Sequence, residues 1–273
     1  FISPKACDVL MLPEDDVLRS SVELLNPLGE DMSRMRTMLA YSMISTLSSN
    51  CLKSIRTARL YEAASVYFSG DGELPEQSER LALGAYGKDE DFYTVKGAIE
   101  NILSAFGIDA SYERSTLPYL HAGRSADIIA AGGKTLGYIG EVHCDVSAAF
   151  NVDERLYIAE LDIDMLHKCA RRKYVFEHVS KFPPVERDIA IVVEEDVTAA
   201  QIIASIKKAG GGLLKEVSVF DVYRNKLLLA DKKSVALNLV FRADDKTLTD
   251  ADITSRMDKI TEKLHSELGA VLR

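Results

Sequence analysis

The sequence lacks any long hydrophobic run, and this absence excludes one large class of protein. No apolar stretch approaches the ~18 residues that a membrane-spanning helix needs, although 47% of the 273 residues are hydrophobic. The opening stretch, FISPKACDVLML, is typical of the interior of a longer polypeptide and not of a signal peptide. We therefore expect a cytoplasmic fragment with ordinary globular cores and no membrane partner.

Metal-ligand spacings are missing as well. The four cysteines, at positions 7, 51, 144 and 169, form no CxxC or CxxH pair. His121 and His143 have no second ligand at metal spacing, so we interpret them as core or surface histidines and predict no metal site. The cysteines favour reduced thiols in a cytoplasmic protein, and disulfide pairing stays open as the alternative.

Positive charge is too scarce for a protein that coats DNA. The chain carries 33 basic and 42 acidic residues, a net charge of −9. Residues 181–273 hold 15 of each kind, so the whole excess of negative charge falls on residues 1–180. Non-specific DNA binding requires a basic footprint, and we expect no DNA partner. A small, focused contact with nucleic acid is compatible with this balance.

The first part of the chain predicts helices and antiparallel strands without βα alternation. Apolar residues at helical spacing, from Met32 to Leu47, predict a helix over 31–50. A second helix is predicted over 92–108, with Gly107 as its stop signal. Strands are predicted over 56–68, 126–143 (two strands around GGK) and 155–164. This mixture indicates an α+β fold.

The second part predicts the order β-α-β-β-α-β, which is the ferredoxin-like pattern. Its clearest strand, SVALNLVFR (234–242), alternates between large apolar residues such as Leu237 and small or polar ones such as Ser234. Helices are predicted after Thr198 and Thr249, which can cap them, and an extended, proline-containing linker precedes this part. Two helices cover one face of such a sheet, so we expect the other face to be open to a ligand.

Five stretches of the sequence together resemble one known family. They are NPLGEDMSRMRTML (26–39), GYIGEVH (137–143), FPPVERDIAIVV (182–193), FDVYRN (220–225) and KKSVALNLVFRADDKTLTDADI (232–253). In order and spacing they resemble the C-terminal half of the β subunit of bacterial phenylalanyl-tRNA synthetase. The resemblance implies an antiparallel-sheet, class II synthetase-like but catalytically dead domain over 1–178, followed by a ferredoxin-fold anticodon-binding domain over 179–273.

The same resemblance implies a function in binding and assembly. The family's enzyme joins phenylalanine to tRNA with ATP and Mg²⁺, as an (αβ)2 heterotetramer whose α subunit is catalytic. This chain is then expected to bind the tRNA anticodon stem-loop and to support the α subunit, with no catalytic residue and no bound cofactor of its own. Arg34 and Arg36 are candidate ion-pair donors at the subunit interface, with solvated arginines as the alternative.

One strand of the first domain supports the absence of catalysis. A class II active site needs an arginine on a strand to hold the α-phosphate of ATP, and RLYEAASVYF (59–68) is the corresponding strand here. After Glu62 it continues with alanine, alanine, serine and valine, so no residue compensates the phosphate charge.

Residues on the open side of the second domain are the candidate RNA-binding site. Unpaired bases are held by stacking on aromatic rings and by hydrogen bonds to their edges. If Phe220 faces the helices, Asp221 and Tyr223 lie on the open side as an acceptor and a stacking plane. Ser234 is predicted to share that wet side, and Ala190 is small enough for a base to approach the backbone. By motif position, the family's anticodon contacts carry over to Ala190, Asp221, Tyr223 and Ser234.

Basic residues are the candidate phosphate contacts. They are Arg224, Lys226, Lys232 and Lys233 in the stretch RNKLLLADKK (224–233), together with Arg242 on the open side of the next strand. This loop departs from the family's usual glycine-containing turn, and lysines that only maintain solubility are the alternative. Arg187 and Asp188 face opposite sides of their strand, so one can pair with the second helix while the other reaches RNA.

Two other functions compete with RNA binding. One is a stand-alone class II-like ligase, against which the missing arginine argues. The other is a ferredoxin-like regulatory protein that binds a small metabolite, for which the glycines at 210–212 form the only candidate loop.

Overall fold

The computed structural model describes residues 1–70, 72–171, 180–224 and 231–273. The chain divides into two compact units, Phe1–Tyr174 and Val175–Arg273. The predicted domain boundary between residues 178 and 179, and part of the predicted linker, lie outside the described residues. No helix within the described ranges is long and apolar enough to cross a membrane.

The N-terminal unit is built on one antiparallel sheet. Its six strands are β1 (Ala58–Phe68), β2 (Glu76–Tyr86), β3 (Ala110–Arg114), β4 (Leu120–Ala130), β5 (Lys134–Val142) and β6 (Tyr157–Asp162). They lie in the order β1-β2-β6-β5-β4-β3. The strands predicted over 56–68, 126–143 and 155–164 are therefore confirmed, and so is the hairpin around GGK.

Two strands of this sheet are not predicted from the sequence. β2 ends in Ala85 and Tyr86, which are both buried, so its apolar pattern does not alternate. β3 is a five-residue edge strand with mostly exposed side chains, and it is too short to show a period.

Helices cover both faces of the sheet. They are α1 (Ala6–Val9), α2 (Ala40–Leu52), α3 (Phe92–Ala105), α4 (Cys144–Ala149) and α5 (Ile163–Cys169). Met43 of α2 and Ile158 of β6 belong to one hydrophobic core, whereas Ile99 of α3 and Leu161 of β6 belong to a second. At Gly84 of β2 a Cβ would lie 2.7 Å from Met43, so α2 crosses the sheet where a side chain is absent. The unit therefore has a core on each side of one sheet.

The first long helix begins at Ala40, so the prediction of a helix over residues 31–39 is wrong. Arg34 instead forms bridges with Ile2 and Glu23, and the N–H of Met35 donates to a carbonyl in another segment at 2.9 Å. The apolar spacing fits a helix, but these external hydrogen bonds satisfy the backbone in an extended conformation.

A buried carboxylate lies at the start of α2. Oε2 of Glu160 accepts hydrogen bonds from the N–H groups of Leu39 at 3.1 Å and Ala40 at 3.0 Å, and from the Tyr138 hydroxyl at 2.9 Å. A negative group is favoured at a helix N-terminus. Burial raises the pKa of the Glu160 carboxyl, and these donors together with the charge of Arg80 oppose that rise without cancelling it.

We predict that Glu160→Ala lowers the free energy of unfolding by about 2–4 kcal/mol, because three donors lose their acceptor inside the protein. Glu160→Gln is expected to cost less, since its amide oxygen still accepts. Urea unfolding followed by circular dichroism measures both, with Glu79→Ala at an exposed position of β2 as the control. A value for Glu160→Ala within about 0.5 kcal/mol of the wild type would contradict the role given to this carboxylate.

The C-terminal unit has the predicted order of elements. They are β7 (Val185–Glu194), α6 (Ala199–Gly210), β8 (Leu214–Tyr223), β9 (Lys232–Phe241), α7 (Asp250–Leu268) and β10 (Val271–Leu272). The strands lie in the order β10-β7-β9-β8, and all neighbours are antiparallel. Ile206 of α6, Ile260 of α7 and Leu237 of β9 share a single core. The α+β class and the ferredoxin-like pattern are confirmed.

Both helices of this unit begin with a capping box, as their threonines predict. At α7, the side chain of Thr249 accepts from the N–H of Asp252, and the Asp252 carboxylate accepts from the N–H of Thr249 at 3.1 Å. Nζ of Lys246 also donates to this carboxylate, at 3.0 Å. The bond from the Thr249 N–H is the largest cause that lowers the pKa of Asp252, to about 2.

This pKa gives a pH-dependent prediction. A carboxyl whose folded pKa is depressed stabilises the fold above its unfolded pKa of 3.8, and loses that contribution as the pH falls towards about 2. We therefore expect the Asp252→Asn variant to be less stable than the wild type at neutral pH. This difference in stability should become smaller over the acid range. Thermal unfolding across that range measures it, and Asp258→Asn, at an exposed position of α7, controls for the lost charge. A gap that stays constant down to about pH 2 contradicts the prediction.

Candidate nucleic-acid interface

Strand register brings four predicted RNA-binding residues onto the side of the sheet away from α6 and α7. Directly opposed residues of antiparallel strands lie on the same face. One row of opposed residues is Val192, Ser234 and Tyr223, and the next is Ala190, Ala236 and Asp221. We call these two rows, with Asp188 and Asn238 of the third row, the open face.

The structure corrects the reason given for the orientation of Asp221 and Tyr223. Phe220 was expected to face the helices, but it is the extra residue of a β-bulge between Val219 and Asp221, and it is 60% exposed. A bulge shifts the alternation by one position. Asp221 and Tyr223 nevertheless oppose Ala236 and Ser234, so they do lie on the open face.

Ser234 does not lie on a wet surface, contrary to the prediction. Only 3% of it is exposed. Its small side chain stands in its row between the larger Val192 and Tyr223, which explains the burial. Tyr223 itself is 42% exposed, so its ring is accessible to a ligand while Ser234 is reached only if its neighbours move.

The structure separates the roles of Arg187 and Asp188. Nη2 of Arg187 lies 3.0 Å from a carboxylate oxygen of Asp250 in the first turn of α7, so this arginine pairs with the second helix. Asp188 lies on the open face, where its carboxylate accepts a hydrogen bond from the Asn238 amide at 2.8 Å. Asn238 was not predicted as a site residue. The alternation of β9 could have identified it, since Asn238 lies on the same face as Ser234 and Ala236.

Two of the predicted phosphate-binding cations pair with carboxylates, and a third donates to a backbone carbonyl. Arg224 donates to a carboxylate oxygen of Glu195 at 2.8 and 3.0 Å, and this contact is the main cause that lowers the pKa of Glu195. Nζ of Lys232 lies 3.2 Å from a Glu194 carboxylate oxygen, and Nζ of Lys233 donates to the Glu195 carbonyl at 2.7 Å. The charges of Arg224 and Lys232 are therefore partly compensated within the chain.

Two further cations, Lys226 and Arg242, give less support to the predicted phosphate contacts. Lys226 lies outside the described residues, as does most of its loop. Arg242 was expected on the wet side of the sheet, but it is half-buried, and its Nε is buried without a hydrogen-bond partner among the described residues. Its backbone N–H donates to the Leu213 carbonyl at 2.8 Å, which ties this part of the chain to the end of α6.

The open side of the sheet is acidic. Asp188 and Asp221 are exposed on the open face, and the next row adds exposed Glu186 and Glu216. Carboxylates accept hydrogen bonds and repel phosphates. The surface therefore suits the N–H groups on base edges better than an RNA backbone.

The two predicted interface residues of the N-terminal unit, Arg34 and Arg36, form hydrogen bonds within the chain. Arg36 approaches the strand that lacks the phosphate-binding arginine, but its guanidinium donates to the Glu62 carboxylate at 2.6 Å and to the Ser65 carbonyl at 3.3 Å. Arg34, the other predicted interface residue, donates to Ser21 at 3.1 Å. Both arginines are thus engaged within the chain, and both faces of the sheet carry hydrophobic cores.

Comparison with known families identifies the two units. Residues 1–163 match the model of the phenylalanyl tRNA synthetase beta chain CLM domain. The chain belongs to the phenylalanyl tRNA synthetase beta chain family. Residues 180–273 match the ferredoxin-fold anticodon binding domain. The resemblance drawn from five sequence stretches is confirmed.

Curated relatives named phenylalanine–tRNA ligase beta subunit are similar over the whole chain. That of Clostridium tetani is 40% identical over 100% of this chain and 35% of its own length. Those of Clostridium acetobutylicum, at 39%, and Symbiobacterium thermophilum, at 37%, cover 100% and 99% of this chain and 35% and 32% of the relatives. The chain therefore spans about a third of the length of these relatives.

The pairing of Glu195 generates a prediction for the anticodon binding domain. Glu195→Gln removes one carboxylate that pairs with Arg224, so we expect an anticodon stem-loop RNA to bind about two- to fivefold more tightly, which corresponds to one exposed ion pair. The dependence of the dissociation constant on salt should also steepen. Filter binding measures both, with Glu262→Gln on the exposed side of α7 as the control. Equal tightening by the two variants would mean that net charge alone is responsible.

Proposed function

We propose that this chain is a non-catalytic tRNA-recognition and assembly part of a phenylalanine–tRNA ligase. In this proposal the C-terminal unit binds the tRNA anticodon stem-loop, and the N-terminal unit supports a catalytic α subunit in an (αβ)2 heterotetramer. The observation that carries it is the open face, which presents Tyr223 and Asp221 beside small residues in a domain of the anticodon-binding family.

The open face offers the contacts that an unpaired nucleotide needs. The accessible ring of Tyr223 supplies a stacking plane, worth about 1–3 kcal/mol per base. The carboxylates of Asp221 and Asp188 accept hydrogen bonds from amino and imino groups on base edges. Ala190 and Ala236 leave room for a base to approach the backbone of the sheet, which a longer side chain would prevent.

Catalysis is assigned to the partner in this proposal. ATP and Mg²⁺ serve the assembled enzyme at the α subunit, since Arg36 of this chain is already paired with Glu62. The chain contributes to the rate by holding the tRNA so that its distant acceptor end reaches the active site. The reaction is expected to take place in the cytoplasm.

An exposed apolar segment supports a protein partner for the N-terminal unit. Leu25 and Leu28 are 98% and 93% exposed, and Met32 is also exposed, in the stretch that precedes the predicted interface residues Arg34 and Arg36. Clustered exposed apolar side chains are typical of surfaces that bind another protein.

The competing functions find less support. A stand-alone ligase would need a free phosphate-binding arginine, and Arg36 is paired. A metabolite site at residues 210–212 competes with structural uses of these glycines: a Cβ on Gly210 would lie 2.5 Å from Leu214, and Gly211 ends α6 with a φ of 60°.

We predict that Tyr223→Ala raises the KM for tRNA about tenfold, because a stacking plane is lost, and leaves amino-acid activation unchanged. The measurement uses a ligase reconstituted from a catalytic α subunit and a full-length β chain carrying this sequence. It compares aminoacylation with tRNA-free ATP–pyrophosphate exchange. Tyr61→Ala, at an exposed tyrosine of β1, is the matched control. An equal loss of activity in aminoacylation and in ATP–pyrophosphate exchange would contradict the proposal.

A further inference from the structure

We propose that Arg273 and Tyr223 form a two-sided clamp for one unpaired base, an inference that rests on the proposed binding of an anticodon stem-loop. Cζ of Arg273 lies 5.3 Å from the centroid of the Tyr223 ring. Tyr223 is the last residue of β8 and Arg273 follows β10, and these strands are opposite edges of the sheet. The two side chains therefore meet above the open face.

A backbone hydrogen bond determines on which face of the sheet the Arg273 side chain lies. Its N–H donates to the Ala190 carbonyl at 2.9 Å, which extends the ladder beyond the pair of Leu272 and Ile191. The next position in this register opposes Arg273 to Ala190, so its side chain leaves on the open face. Three strand spacings, about 14 Å, separate the two edges. Two long side chains bridge this distance above the small residues Ala190 and Ala236.

The charge of Arg273 distinguishes it from two of the other candidate cations. Arg224 and Lys232 lie against glutamates, whereas Arg273 has no ion pair with a carboxylate within the described ranges. Asp188 and Asp221 are exposed on the same face of the sheet, and the Arg273 side chain contacts an aromatic ring. A guanidinium is planar and permanently charged, so it can stack on a base and donate to a phosphate.

The geometry requires only a small opening. A base between the two groups needs a separation of about 7 Å, twice the ~3.4 Å spacing of stacked bases. Starting from 5.3 Å, the gap has to widen by about 2 Å, which rotation of two exposed side chains provides. The base then lies above Ala190 and Ala236, with Asp221 in the same row at its edge. The cation–π contact that is broken at this exposed site is weaker than the stacking contacts that replace it.

The test measures binding of an anticodon stem-loop of a phenylalanine tRNA to the full chain by filter binding. We expect Arg273→Ala to weaken binding about tenfold, through the loss of one stacked partner. Arg273→Lys, which keeps the charge but not the plane, should recover only part of the affinity while retaining the salt dependence of the wild type. Lys259→Ala on α7 removes the same charge from an exposed position on the helical side and should leave binding unchanged.

A second measurement locates the clamped base. One loop base at a time is replaced by 2-aminopurine, whose fluorescence falls when it stacks. At a single loop position, both Tyr223→Ala and Arg273→Ala should restore part of the fluorescence. Thermal unfolding of each variant checks that the sheet is intact.

The possible results separate this inference from the proposed function. If the full chain does not bind the stem-loop, both are overturned. If Tyr223→Ala weakens binding while Arg273→Ala does not, the clamp alone is overturned and RNA recognition stands. Tighter binding by Arg273→Ala also overturns the clamp, because Arg273 would then only cover the ring.

Discussion

The open face depends on the register in which β9 pairs with β7 and β8. Side chains alternate with a period of two. If the register of β9 shifted by one residue, Leu237 and Leu239 would face solvent and Ala236 would face the core. Each large apolar side chain buried against α6 and α7 stabilises the correct register by about 1.5–3 kcal/mol. The positions left over by this packing make up the surface on which Asp221 and Tyr223 meet Ala190.

The N-terminal unit uses its sheet in a different way. Hydrophobic cores lie on both sides, and α2 is held over one of them by the buried carboxylate of Glu160 and by the absence of a side chain at Gly84. Arg36, which approaches β1, is bound to Glu62 of that strand. A sheet covered by hydrophobic cores on both faces suits the scaffold role proposed for this unit.

Much of the fold follows from local signals in the sequence. Strict alternation in β9, capping threonines before α6 and α7, and the GGK turn each determine an element through short-range physics. Non-local contacts explain the failures. Residues 31–39 have helical spacing, yet pair with distant segments, and β2 has no alternation because it is buried on both faces near its end.

The candidate site was predictable to a similar extent. Three residues, Ala190, Asp221 and Tyr223, lie where motif and alternation predict, although a bulge at Phe220 intervenes. The burial of Ser234 depends on the size of its neighbours on two other strands, which no single stretch reveals. The pairing of Arg224 with Glu195 and the contact of Arg273 with Tyr223 join residues far apart in the chain, so only the folded sheet brings them together.

In the proposed function, the carboxylates around the open face affect how RNA reaches this surface. They repel a polyanion at long range, although at physiological ionic strength this repulsion decays over about 8 Å. The carboxylates therefore lower the rate of encounter with RNA, and in the proposed assembly contacts elsewhere guide the incoming molecule. A duplex, whose bases are already paired and stacked, meets the repulsion without the compensating contacts and is turned away. The surface therefore binds RNA more slowly but distinguishes unpaired bases from a duplex.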